Sequence, residues 1–594
     1  MPILDGFRSL LRRICSFFSA TPVNNTAAYP RATLGTNRAQ CLHGRGASSW
    51  VHSRNWTGGL FAAIFRKPSA SLAREAVFPG LFIRELEQRR VLSASSITLQ
   101  ELGKTLVIGA GLQAENGTPD TFEVMRQGDT LKVSVNGQTT ATAQLEQISA
   151  IKLQAATDQD TFLLNFSGGN IAPSGGIQIS GVQGPHGSQD TLVLQGGSVG
   201  VPIGGVAQQS DGIGSGFIRV AMGGSPGGAS SSGAATIEYA GIGSIENEMQ
   251  AQHVTLEDTA PGDALAVTGN AAMGDFTVTS SHGAATTFAT PPSGLTLQAG
   301  AGSTVDFSGI TDLRGGNLTV SAGSIRVDGT LISHGGAIDL DAGAQGTVLV
   351  SGSIDVSNTV SGRLGGSVEL LGDRVGLLDR AVVDASGNAG GGSVLIGGDY
   401  HGANAAILDA SFTYVGPEAQ ISAGAIAQGD GGHVVVWSNV ATQFLGNISA
   451  RGGNLGGNGG SVEVSSGQYL DFGGRVDGAA PAGGLGTLLL DPHNITVQTG
   501  GAAAYSQVDA FNFAPASDFT LDPATLAAVT GNVVLQANND ITVTNAITLT
   551  TPGQTLTLQA GRSILVNADI TTNDGAIRLT ANETVANGVV DADR

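Results

Sequence analysis

Apolar and polar residues alternate along this chain in short runs, each introduced by glycine. Gly315-Gly-Asn-Leu-Thr-Val, Gly335-Gly-Ala-Ile-Asp-Leu, Gly365-Gly-Ser-Val-Glu-Leu, Gly391-Gly-Ser-Val-Leu-Ile, Gly431-Gly-His-Val-Val-Val and Gly459-Gly-Ser-Val-Glu-Val are variants of one phrase. Period-2 alternation behind each glycine pair predicts a short strand with one face inward. The glycines predict the turn that starts it, where φ > 0 is needed. The phrases start 20, 30, 26, 40 and 28 residues apart. Shorter copies begin near Gly531, Gly553 and Asp574. Spacings of this size, with no helical periodicity, predict stacked β coils, a solenoid. In such a stack Val368, Leu370, Val394, Ile396, Val434, Val436, Val462 and Val464 face inward, and Glu369 and Glu463 outward. Val435 puts an apolar side chain in an outward place and breaks the alternation.

Upstream, residues 120–135 alternate around Gly128-Asp129, the pattern of a β-hairpin. Asp160-Thr-Phe-Leu-Leu and Asp190-Thr-Leu-Val-Leu repeat an Asp-Thr-strand phrase, each Asp expected to cap its own turn. Gly187-Ser-Gln-Asp190 resembles the calcium-binding nonapeptide of RTX proteins, but that site needs consecutive nonapeptides and the Asp-Thr copies stand 30 residues apart. Residues 196–235, rich in Gly and Ser, read as a loop or linker.

Charge divides the chain. Residues 1–95 carry 13 Arg or Lys against 4 Asp or Glu, and the remainder 15 against 44. An acidic body without lysine after Lys152 excludes nucleic acid as a partner. Cys15 and Cys41 lie in the basic leader, so the body has no disulfide, thiolate or cysteine-based zinc chemistry. Neither apolar run of the leader (through Phe17-Phe18 and Leu60–Phe65) reaches the roughly 18–20 residues of a membrane span. Three regions follow: a basic export-related leader over 1–95, a β-rich repeat region over 96–292, and the regular coils of 293–594.

Two resemblances carry further expectations. Leu86-Glu87, Arg89, Leu92, Ser93 and Ala94 resemble the LEPR-XLL motif near the start of large repetitive bacterial surface proteins, which implies export; Gln-Arg-Arg-Val between Glu and Leu departs from it. The ordered phrases from Gly365 through Val383-Asp-Ala-Ser-Gly387, Thr413-Tyr-Val-Gly-Pro417, Gly429-Asp-Gly-Gly-His-Val-Val-Val-Trp437 and Gly446-Asn-Ile-Ser-Ala-Arg-Gly-Gly453 to Leu490-Asp-Pro492 resemble the repeat region of filamentous-haemagglutinin-family exoproteins. That resemblance implies an all-β, right-handed parallel β-helix, export, and an adhesive or matrix role at the cell surface. The family's secretion motif contains Asn-Pro, and this chain has no Asn-Pro pair, which argues against that export route and leaves the LEPR-like leader as the alternative export signal.

Candidate chemistry is sparse. Asp373, Asp379, Asp384 and Asp399 are the densest carboxylates, each beside a glycine or inside a repeated phrase, as turn residues are. His186, His282, His334 and His401 each precede Gly, which reads as turn chemistry rather than ligation. Ser198 and Ser225 match the nucleophile-elbow pattern in stretches too rich in Gly and Ser to give it weight. Trp437, at a strand end, reads as a packing residue rather than a sugar platform.

No catalytic or metal residue and no cofactor is assigned, and the ligand-binding residues are unknown. The expected function is that of an exported, non-enzymatic, adhesin-like protein of the extracellular space or outer cell surface, binding glycan or surface protein. A β-helix lyase or hydrolase acting on extracellular polysaccharide is the alternative. The last regular coil, near residues 553–582, has no evident covering segment, which predicts a shortened chain or end-to-end self-association.

Overall fold

The computed structural model describes residues 95–100, 104–110, 119–155, 158–184, 187–188, 190–197, 203–223, 234–270, 274–500 and 519–584. The LEPR-like motif, both cysteines, His186, Ser198 and Ser225 lie outside them. The described chain is nearly all β: a parallel β-helix whose coils from residue 294 to 477 turn through three sheets.

Every glycine-led phrase forms one strand of the first sheet. Asn317–Ser321, Ala337–Asp341, Ser367–Leu371, Ser393–Ile396, His433–Val436 and Ser461–Val464 stack in parallel, each on the one before. The copies near 487, 532, 556 and 577 extend the same stack. Register places Leu318, Ile338, Val368, Val394, Val434, Val462, Leu488 and Val533 in one inward column. All are buried in the core, as are the other inward residues the alternation selects. The second sheet carries Phe444 and Phe472, stacked with ring centroids 5.5 Å apart. The third contributes the column Leu331, Ile354, Val383, Ile421, Ile448 and Val476.

The glycine pairs have a different cause from the turn chemistry expected of them. Only Gly315 and Gly335 of the six leading glycines take positive φ, +95° in both. The rest are required by crowding between coils. A Cβ on Gly392 would lie 1.9 Å from the carbonyl oxygen of Gly366, and one on Gly432 2.1 Å from that of Gly392. Coils a strand spacing apart, about 4.8 Å, leave no room at this corner for any side chain.

The N-terminal coils use the same stacking with antiparallel additions. Thr121–Gln127 and Thr130–Val135 form the expected hairpin, with Gly128 at φ +63°. Residues 196–235 are not simply a linker. Ile203–Gly212 pairs antiparallel with Ser215–Met222, which pairs with Ala235–Ala240. The pattern was hidden because inward places are polar there: Gln208 is buried and donates from Nε2 to Thr286 Oγ1 at 2.8 Å. Ala251–Asp258 and Gly294–Ala299 pair in parallel, so the first sheet continues across residue 293. The one α-helix among the described residues, Pro523–Ala527, starts on an Asp522 cap whose carboxylate accepts the Ala524 N–H at 2.8 Å. No helix among them is long and apolar enough to cross a membrane.

Candidate functional site

The largest concentration of unusual chemistry lies on the outside of the first sheet. Between Ser393–Ile396 and Phe412–Val415 the chain makes an excursion over residues 397–411, whereas the corresponding link from Leu371 to Arg374 holds only Gly372 and Asp373. This excursion accounts for the 40-residue spacing between the phrases at 391 and 431. A short 3-10 turn, Tyr400–Gly402, forms within it, capped by Asp399, whose Oδ1 accepts the Tyr400 N–H at 2.7 Å. The Asn404 amide holds the other oxygen of Asp399 at 2.9 Å.

The loop lies on the indole of Trp437. His401 and Gly402 take left-handed φ of +56° and +57°, which brings the main chain flat against the ring. A Cβ on Gly402 would meet Trp437 Nε1 at 2.6 Å. Under the loop Leu395, Val435 and Trp437 form an apolar cluster separate from the interior core. Val435 is therefore apolar in an outward position because that position is covered. Trp437, 6% exposed, is a packing residue.

Polar groups complete the seat. Glu463 occupies the outward register expected of it, next to Val435 on one side and Leu489 on the other, but it is fully buried rather than solvated. The His401 backbone N–H donates to its two oxygens at 3.3 and 3.2 Å. The His401 ring turns Nδ1 onto Asp491 Oδ2 at 2.9 Å and stands 4.0 Å from Glu463 Oε1. Tyr400 packs edge-on against that ring, centroids 4.1 Å apart.

Burial pushes the Glu463 carboxyl up to about 7, with the His401 charge and N–H pulling the other way. Burial likewise raises Asp491 against the pull of His401. Burial by itself would lower His401, but the hydrogen bond to Asp491 and the charges of Glu463 and Asp491 raise it overall. Trp437 Nε1, Asp409 Oδ1 and Asp491 Oδ1 are buried without a hydrogen-bond partner among the described residues. The arrangement sets two sealed carboxylates around one imidazole. Among the described residues no group of three or more His, Cys, Asp or Glu is set to hold a metal.

The carboxylates singled out from the sequence are not brought together. Asp384 caps its own turn through Ser386 N–H at 2.8 Å, Asp379 sits at φ +47°, Asp373 accepts from Ser411 Oγ at 2.5 Å, and Asp399 caps the loop. His334, at φ +50°, is a turn residue as expected, with Nε2 3.2 Å from Asp312. His282 does more than turn the chain: its Nδ1 lies 3.0 Å from buried Asp263. Asp263 also accepts from Ser280 and Ser281; burial opposes its ionisation, but hydrogen bonds with Asp258, Ser280, Ser281 and His282 hold its carboxyl below the usual range.

Asp160 and Asp190 also reach beyond their own turns. Asp160 Oδ1 accepts the N–H of Asp120 at 3.1 Å, and Asp190 Oδ1 that of Asp160 at 2.9 Å, each reaching across to a neighbouring coil. The sequence signals for the covered site were the 40-residue spacing and the apolar Val435. Nothing local marks Glu463 or Asp491 as its partners.

No family model matches the chain, and no curated protein matches it. Among solved structures it is similar to the crystal structure of the HMW1 secretion domain from Haemophilus influenzae, at 17% identity, covering 67% of this chain and 98% of that one, with a TM-score of 0.27.

Proposed function

We propose that the protein is an exported, non-enzymatic, adhesin-like surface protein whose β-helix displays a contact surface to extracellular glycan or surface protein, with residues 1–95 serving export. The observation that carries this reading is a row of exposed aliphatic side chains on one corner of the helix. The loops joining the third sheet to the first stack on each other, with Asn358, Gly387 and Ala425 bridged in parallel. They present Val360, Leu364, Ile426 and Leu455 at 62, 61, 44 and 79% exposure. Apolar residues repeated along one corner are a surface suited to contact rather than to solvation.

The enzyme alternative needs carboxylates that a polysaccharide can reach, about 5–10 Å apart on an open groove. Glu463 and Asp491 are closed beneath residues 397–411, and Asp258 and Asp263, which adjoin each other, are themselves buried. The test is a glycan-array and cell-binding assay of the full chain, run beside a polysaccharide-turnover screen. Binding without turnover supports the reading, and turnover overturns it.

A further inference from the structure

We infer that residues 397–411 form a proton-operated clasp, which lies shut over Leu395, Val435 and Trp437 up to neutral pH and lifts to uncover them as the solution becomes alkaline. The inference does not depend on the adhesin reading. It rests first on how the loop is attached. The hydrogen bonds of residues 398–409 run within the loop, from Gly402 to Asp399, Ala403 to Tyr400 and Ile407 to Asn404, while Ala410 closes the base on Gly397. All those that reach the sheet are made by His401, to Glu463 and Asp491. One residue therefore makes the loop's polar attachment to the sheet, on top of its packing against Trp437.

The three groups at that attachment respond to pH in the same sense. Glu463, Asp491 and His401 all hold protons more tightly in the closed state than when free. A group whose proton is held more tightly contributes stability that is complete below its free value and lost as pH rises through the closed-state value. For Glu463 the loss runs from the free carboxyl range upward and is complete once the pH has risen through about 7. As Glu463 ionises, two buried carboxylates come to share the seat with one imidazole, His401, the single group there among the described residues able to offset them.

The other ionisable groups facing the loop are few. Glu369 and Asp409 are raised by burial and by the Asp399 charge, so both push in the same direction. Tyr400, raised by burial and by Glu463 and Asp491, stays neutral throughout. His433 is lowered by burial, and its protonation in acid works against the closed state. The clasp is therefore tightest in a window that ends near neutrality. Trp437 Nε1 and Asp491 Oδ1, without a hydrogen-bond partner among the described residues, become accessible to water when it opens, which favours opening.

Trp437 reports on its own cover. The chain has two other tryptophans, Trp50 and Trp56, so the full chain carrying Trp50→Phe and Trp56→Phe emits from Trp437 alone. Acrylamide quenching and emission maximum are followed from about pH 5.5 to about pH 8.5, the range over which an imidazole and a raised carboxyl titrate. The expected result is a red shift and rising quenching with a midpoint near neutrality, while far-UV circular dichroism stays constant. The opening equilibrium should rise by up to about tenfold per pH unit for each proton released.

In the same background Glu463→Gln, which imitates the protonated acid, should move or flatten that midpoint. Quenching that stays level across the range, or a midpoint unchanged by Glu463→Gln, overturns the clasp. Should Glu463→Gln fold poorly, hydrogen exchange on the unaltered chain decides: protection of the 398–410 amides, corrected for intrinsic rates, should fall between about pH 5.5 and about pH 8.5 while the flanking strands keep theirs. Equal protection at both pH values overturns it too.

Discussion

The carboxylate of Asp160 accepts the backbone N–H of Asp120 from the neighbouring coil, with Oδ1 and N 3.1 Å apart. Both residues are almost wholly buried, and Asp190 repeats the relation with Asp160. At the corner that begins the second sheet, a column of aspartates thus satisfies main-chain donors that a turn would otherwise leave unpaired in the interior. The repeated Asp-Thr phrase serves the coil beside it.

Replacing Asp160 tests this. Asp160→Ala leaves a buried N–H without an acceptor and should cost about 1–3 kcal/mol. Asp160→Asn keeps a carbonyl oxygen in place and should recover most of the loss. Equal losses for the two in urea unfolding would mean that the carboxylate acts through its charge and not as an acceptor.

The glycine pairs make a sharper prediction. Gly392 has a carbonyl oxygen 1.9 Å from where its Cβ would stand, whereas Gly362, at φ +78°, has nothing within 4 Å. Gly392→Ala must push two coils apart and should cost about 3 kcal/mol or more. Gly362→Ala incurs only the left-handed strain, about 1 kcal/mol. If the order is reversed, conformational freedom and not coil crowding is what selects glycine at the corner.

Inward and outward places should differ as strongly. Val394 lies fully buried between Val368 and Val434, so Val394→Asp brings a carboxylate into a continuous apolar column and should cost about 3–5 kcal/mol. Glu369 is half-buried beside Asp339 and Asp399, which raise it further. Glu369→Lys relieves that repulsion and should be silent or slightly stabilising. Chemical denaturation of the two variants would show the contrast.

These cases also mark how far the sequence could be read. Alternation places Val368, Val394, Val434 and Val462 correctly because stacking holds every coil to one register, so local pattern and global fold agree. The inward polar residue Gln208 defeats the same logic, since there a buried hydrogen bond to Thr286 replaces apolar contact. The candidate site was legible only as an anomaly, an apolar Val435 and an over-long coil. Its chemistry depends on Asp491, 90 residues from His401, meeting it through a loop folded back across the sheet. No periodicity encodes that kind of contact.

The aliphatic corner gives the last prediction. Leu364 and Leu455 stand on loops of the same corner and are 61 and 79% exposed, so neither is held in the core. Changing both to Asp should leave the unfolding midpoint almost unchanged, because surface substitutions away from special features usually stay within about 0.5 kcal/mol. If this corner is the adhesive surface, the double variant should bind intact cells and immobilised glycans about tenfold or more weakly, as expected when two leucines no longer leave water on contact. The matching change on another face, Thr319→Asp in the outward row of the first sheet, should have no such effect. Unaltered binding by the Leu364→Asp, Leu455→Asp protein would remove the corner as the contact surface and, with it, the observation on which the adhesin reading stands.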